Sequence, residues 1–282
     1  LQTVLGLEAE RIAAAFAVVP AAMAQRLVRA KQKIKQARVP FAIPGRADMP
    51  ERMLAVLEAV YGAYAIHWAD GHDGDPRDTA DLGREALTLA ELLASLAPDD
   101  PEAAGLAALI AHLEARRPAR RDAAGDYVPL DRQDTAHWDR ALLAGAQRTL
   151  ERASRMGRIG RFQIEAAIQS AHAARAAGGV TDWSSIVALY EVLLRMAPGL
   201  GVVVGLAAAL GQAGRAADGL GCLDAFADQI GDGFQPAWAT RARLLALSRQ
   251  PAMARVAYDR AIALATDAAV ARHLAGEKAK LA

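Results

Sequence analysis

Val19-Pro-Ala-Ala-Met-Ala-Gln-Arg-Leu-Val-Arg-Ala-Lys-Gln-Lys-Ile-Lys35, preceded by Gly6-Leu-Glu-Ala-Glu-Arg-Ile-Ala-Ala-Ala-Phe16, is the stretch on which the reading of the chain turns. Both segments carry helical periodicity, and a tight junction separates them. In the second, Met23, Leu27, Ala30 and Ile34 recur at spacings of four, three and four, the pattern of a buried seam. Pro20 suits the first turn, where a missing N–H costs nothing. Gln25, Arg26, Arg29 and Lys33 point away from that seam. A helix held on a partner helix, with cations along its outer face, is the arrangement by which a helix-turn-helix enters the DNA major groove.

Charge supports the distinction between this head and the rest. Residues 1–46 hold eight Lys and Arg against Glu8 and Glu10, a surplus of six, although the whole chain has a net charge of only +1. The remainder is therefore mildly acidic, and the head alone is suited to a polyanion. Hydrophobic residues make up 53% and aromatics only 5%, so the core is built of Ala, Leu, Val and Ile. Alanine is the strongest helix former, and β-branched runs are few. An all-α protein is expected.

Further along, Val39-Pro-Phe-Ala-Ile-Pro-Gly-Arg-Ala-Asp-Met-Pro50 stops the helix and reads as a linker. A helix follows from Glu51 to Trp68, with Leu54, Leu57, Val60, Tyr61 and Tyr64 on one face. Helices are expected at 78–96, 101–116, 133–156 and 160–177. The last third carries an internal repeat. Ala188-Leu-Tyr190-Glu-Val-Leu-Leu-Arg-Met-Ala197 matches Val256-Ala-Tyr258-Asp-Arg-Ala-Ile-Ala-Leu-Ala265 at an offset of 68 residues, with Cys222-Leu-Asp224 in phase between them. That offset is twice the period of about 34 residues of tetratricopeptide repeats. Residues 200–213 and 236–248 are expected as first helices, 216–229 and 252–265 as their partners. The expected organisation is a helix-turn-helix head at 1–38, a linker at 39–50, a helical domain at 51–178 and a tetratricopeptide-like helical-repeat domain at 179–282.

Several motifs together resemble one family. Met23-Ala-Gln-Arg-Leu-Val-Arg-Ala-Lys31 is similar to region four of extracytoplasmic-function (ECF) RNA polymerase sigma factors. Ala115-Arg-Arg-Pro-Ala-Arg120, Gln133-Asp-Thr-Ala-His-Trp-Asp-Arg140, Gly160-Arg-Phe-Gln-Ile-Glu-Ala-Ala-Ile-Gln-Ser-Ala-His172 and Thr181-Asp-Trp183 resemble the large C-terminal extension, ending in tetratricopeptide-like repeats, of one subgroup. The resemblance implies a part in transcription initiation, with promoter DNA and the RNA polymerase core as partners. It implies docking of the helix at about 20–37 in the −35 element. The DNA-binding set is then Met23, Gln25, Arg26, Arg29, Lys31 and Lys33. In it, Gln25 and Arg26 face bases, while Arg29, Lys31 and Lys33 face phosphates. There are departures. Tyr64-Ala-Ile-His-Trp68 stands where the family has a Phe-Asn-Glu-Gly-Tyr motif, and Ala22 and Ala24 flank Met23 where a Thr and a Lys are common. Region two, which in the family binds core polymerase and opens the −10 element, is absent from this sequence, and the start at Leu1 suggests a fragment.

Other features point to less. Arg116, Arg117, Arg120 and Arg121 precede Asp122, Asp126, Asp131 and Asp134; pairing that pins a loop to the helical body is favoured over an anion pocket. Trp138 reads as a core anchor. Asp70-Gly-His-Asp-Gly-Asp75 fits a calcium loop poorly: the third position is His72 and the twelfth Asp81. The histidines lack the paired spacing of zinc enzymes, and Gly199-Leu-Gly201 and Gly219-Leu-Gly221 have no preceding strand. Neither an enzyme nor a cofactor or metal is expected. Cys222, the single cysteine, reads as a small buried hydrophobe. No membrane span or signal peptide is visible, so the cytoplasm is the expected location. The alternative function is a helical-repeat scaffold whose groove binds a protein or peptide, with the basic head as a docking arm.

Overall fold

The computed structural model describes residues 8–15, 20–37, 45, 48–69 and 76–281. The protein is all-α. Among the described residues, extended pairing is confined to one antiparallel bridge between Arg121 and Tyr127. Also among them, no helix is long and apolar enough to cross a membrane. The chain forms two compact units, Leu1–Leu96 and Ala97–Ala282.

In the first unit, α1 (Ala9–Ala15) lies against α2 (Pro20–Gln36), and α3 (Met49–Ala69) pairs with α4 (Pro76–Leu96). Ile12 and Ala13 of α1 meet Met23 of α2 in a small core completed by Ile66 of α3, with Leu27 partly buried beside it. That third element is why residues 51–96 share a unit with the head instead of opening the expected domain at 51–178. Along α3, Leu57, Val60 and Tyr64 are buried as their spacing predicts. Met53 takes the place expected of Leu54, which is 61% exposed. On α4, Ala86, Ala90 and Ala94 form the buried stripe, and such small side chains let helix backbones approach closely. The junction at 16–19, most of the linker and the Asp70–Asp75 turn lie outside the described residues.

The second unit is centred on α5 (Pro101–Arg116), which is buried along nearly its whole length. The Asp100 carboxylate caps it, accepting from the N–H groups of Glu102 and Ala103 at 2.9 and 3.2 Å, and Pro101 fills the first helical position. α6 (Arg140–Ser154) and α7 (Arg161–Ala173) pack on it. α5 and α7 approach closely at Gly105, where a Cβ would stand 2.7 Å from the backbone nitrogen of Gln163. Glu102 spans the same crossing: its carboxylate accepts from the N–H groups of Phe162 and Gln163 at 3.0 and 3.2 Å, capping a helix whose own cap residue is Gly160.

Then come α8 (Trp183–Met196), α9 (Leu200–Gln212), α10 (Ala216–Ala225), the single turn α11 (Ala227–Ile230), α12 (Gln235–Leu247), α13 (Pro251–Ala263) and α14 (Ala268–Ala279). α9 packs with α10, and α12 with α13. These are the helix pairs whose spacing marks the repeat, with the second helix of the first pair shortened at Ala225. The turns fall at Gly214 and Arg249, both at positive φ (79° and 57°). No break occurs at 178/179, because Ile164 and Ile168 of α7 share one core with Ile186 and Leu193 of α8 and Leu206 and Leu210 of α9.

Candidate functional site

α2 holds the cationic surface. Only its first half is covered: Met23 is buried and Leu27 partly so, whereas Val28 and Ile34 are 54% and 58% exposed, and Ala30 is exposed too. The expected seam therefore ends at Leu27. Gln25, Arg26, Arg29, Lys31 and Lys33 are all exposed. At 100° per residue, Gln25, Arg26, Arg29 and Lys33 fall within about 100° around the helix, and Lys31 lies on the opposite flank. Met23, included in the expected DNA-binding set, faces α1 and serves to hold the helix. Its spacing placed it on the seam, and the burial agrees with the spacing. Lys33 and Lys35 sit in the last turn, where positive charge opposes the partial negative charge of the helix end.

The arginine and aspartate cluster of residues 116–134 is engaged, chiefly with partners far along the chain. Arg121 pairs with Asp267. Asp126 accepts from Arg272 at 2.6 Å, Arg132 donates to Glu277 at 2.8 Å, and Arg243 donates to Asp131 at 3.0 Å. Asp122 and Asp134 close local turns, accepting from the N–H groups of Ala124 and Ala136 at 2.9 Å. Residues 117–139 thus form a strap fastened to α12 and α14 and to the turn before α14. Pairing pins this loop; Arg243 belongs to a repeat helix, and Asp267, Arg272 and Glu277 belong to α14 and its cap. Trp138, at 3% exposure, is a core residue under the Arg175 guanidinium, 5.6 Å from its ring centroid.

Cys222 is half-buried, its thiol 3.9 Å from the Val203 carbonyl and held above the ordinary thiol range by burial. Among the described residues, no three His, Cys, Asp or Glu side chains converge as a metal site requires. His112 is 2% exposed; burial, followed by the Arg116 charge one turn on, lowers its pKa to about 4.

A pocket of about 540 Å³ opens in the second unit beside α8 and α9, lined in part by His172, Trp183, Tyr190 and Gln212. Sequence reasoning did not foresee it. Tyr190 and Gly205 carried the available signal, an aromatic residue and a glycine lying on consecutive helices. A Cβ at Gly205 would stand 2.6 Å from the Tyr190 ring.

Residues 52–154 match a family of unknown function, DUF6596. An uncharacterized protein of Rhizobium meliloti (strain 1021) is 36% identical over 289 residues, an alignment covering 100% of this chain and 68% of the relative. The chain belongs to that protein's family. No solved structure matches the chain.

Proposed function

We propose that this chain is the −35-element-binding and C-terminal regulatory portion of an ECF-type RNA polymerase sigma factor, with promoter DNA and the polymerase core as partners. The observation that carries the reading is the α2 surface. Gln25, Arg26, Arg29 and Lys33 stand exposed on one side of a helix that Met23 and Leu27 fasten to α1. Guanidinium and amide side chains can pair with guanine and adenine edges in the major groove. Lys and Arg neutralise phosphates and release counterions, which makes affinity fall with salt. On this reading Gln25 and Arg26 face bases, and Arg29 and Lys33 face phosphates. Lys31, on the far side of the helix from these four, stays off the groove and adds only to the positive field of the head. The chain works by binding, without bond chemistry, in the bacterial cytoplasm where the promoter lies. The second unit, with its strap and repeat helices, governs how available the head is to polymerase and DNA.

The test is fluorescence anisotropy with a labelled promoter duplex over a series of salt concentrations. Affinity should fall steeply with salt; Arg26→Ala with Arg29→Ala should weaken binding, and the lost Arg29 phosphate contact should reduce the logarithmic salt slope by about one. Binding indifferent to salt, or unchanged in the double variant, overturns the reading. Capture of a protein partner by the repeats in the absence of any DNA binding would then leave the scaffold reading in its place.

A further inference from the structure

We infer that the second unit carries a binding site for an uncharged, planar aromatic molecule with an amide-like edge. This inference is independent of how α2 is used. The pocket of about 540 Å³ lies within the size range, roughly 300–1,000 Å³, of small-molecule sites. Its walls are rings: His172 of α7 and Trp183 of α8 meet edge to face, with centroids 5.4 Å apart at 71°. Tyr190 packs against α9 at Gly205, which offers no side chain to displace it. Ile186 and Ala209, both buried, make the floor. A flat aromatic ligand fits such walls, since rings gain from offset or edge-on contact.

The charge state of the lining selects against ions. Two charged residues border the pocket, and both are already engaged. The Arg175 guanidinium donates to the carbonyls of Leu130 and Gln133 at 2.5 and 3.0 Å, and Asp131 accepts from Arg243. Burial, then the charges of Arg116 and Arg175, hold His172 down at about 4, so its imidazole is neutral at pH 7. Burial pushes the Tyr190 phenol up to about 12, so it keeps its proton. A charged ligand would lose its hydration here: Asp131 is already paired, and the Arg175 guanidinium, although still charged, gives both terminal nitrogens to carbonyls and lays its face on the Trp138 ring, which leaves no bidentate partner for an anion.

Neutral hydrogen-bonding groups remain. The side chains of Thr181, His172, Tyr190 and Gln212 line the pocket and make no hydrogen bond to another described residue. The Gln212 amide presents a donor and an acceptor side by side, the complement of a lactam or amide edge. A purely apolar ligand would leave that amide covered and unsatisfied.

Isothermal titration with carbostyril, the lactam of quinoline, and with naphthalenesulfonate as the charged comparator, tests this. Saturable carbostyril binding is expected, tighter than that of the sulfonate by about tenfold or more. Ala208→Trp, placed at an exposed pocket-lining position, should abolish it, and Gln212→Leu should weaken it severalfold. Circular dichroism and the melting temperature report whether each variant folds. No saturable carbostyril binding by the folded protein, equal binding by Ala208→Trp, or preference for the sulfonate overturns the inference. Should Ala208→Trp fail to fold, Gln212→Leu decides: unchanged carbostyril affinity overturns the site, and a selective loss supports it.

Discussion

His112 carries a pH dependence into the centre of the second unit. It is buried on α5, and its folded-state pKa of about 4 lies below the ordinary 6.5 because burial, and then Arg116, disfavour the imidazolium. The unfolded chain therefore binds this proton more readily than the folded one. The histidine's contribution to stability is complete above about pH 6.5 and is lost as pH falls toward about 4. The ceiling on that loss is about 3 kcal/mol. Urea unfolding of the wild type and His112→Leu at about pH 7 and about pH 5 should show the variant losing less stability on acidification. Equal losses would mean that the imidazole does not titrate differently in the folded state. None of this was readable beforehand. A histidine one turn before Arg116 looks like any surface pair until the packing of α6 and α7 covers it. Glu102 is similar: it looks like an ordinary acid in the first turn of α5, yet it caps a helix some 60 residues on.

At the scale of the element, α2 has two halves with different support. α1 is seven residues long and α2 seventeen, so α1 spans roughly 10 Å beside a helix of roughly 25 Å. Periodicity reports which side of a helix is apolar; it does not report how far the partner reaches. That is why Met23 and Leu27 were legible as seam, while Ala30 and Ile34, equally well spaced, are exposed. The repeat helices were more legible, because each is covered along its length by neighbours of similar size. Most of a helix's stability in water comes from such packing. Amide hydrogen exchange in the free protein should accordingly be faster at residues 29–36 than at 23–28. On the DNA-binding reading, a promoter duplex should slow it in the outer half. Uniform protection along α2 without DNA would contradict the division.

Over the whole molecule, charge pattern foretold pairing but not its range. Arg121, Asp126, Asp131 and Arg132 sit close together in sequence, and their partners lie on α12, on α14 and at the start of α14. Nothing local in a sequence says which distant helix will receive a cluster of charges. Asp267 has two duties: it accepts from the N–H groups of Ala269 and Val270 at the start of α14, at 2.8 and 3.4 Å, and it pairs with Arg121. Asp267→Ala should therefore destabilise the second unit by about 1–2 kcal/mol, mostly through the lost cap. Asp126→Ala, which breaks the more exposed contact with Arg272, should cost well under about 1 kcal/mol. Chemical denaturation of the two variants gives the comparison, and a larger effect for Asp126→Ala would reverse the argument.

The strap also changes what can be removed. An open array of helix pairs frays from its free end, each pair answering chiefly to the next. Here α14 is tethered to a segment belonging to the other extremity of the array, so loosening at α14 costs contacts at both extremities. Removing α14 would free Arg121, Asp126 and Arg132 while Arg243 and Arg175 still hold Asp131, Leu130 and Gln133, so the strap should loosen at its ends and keep its middle.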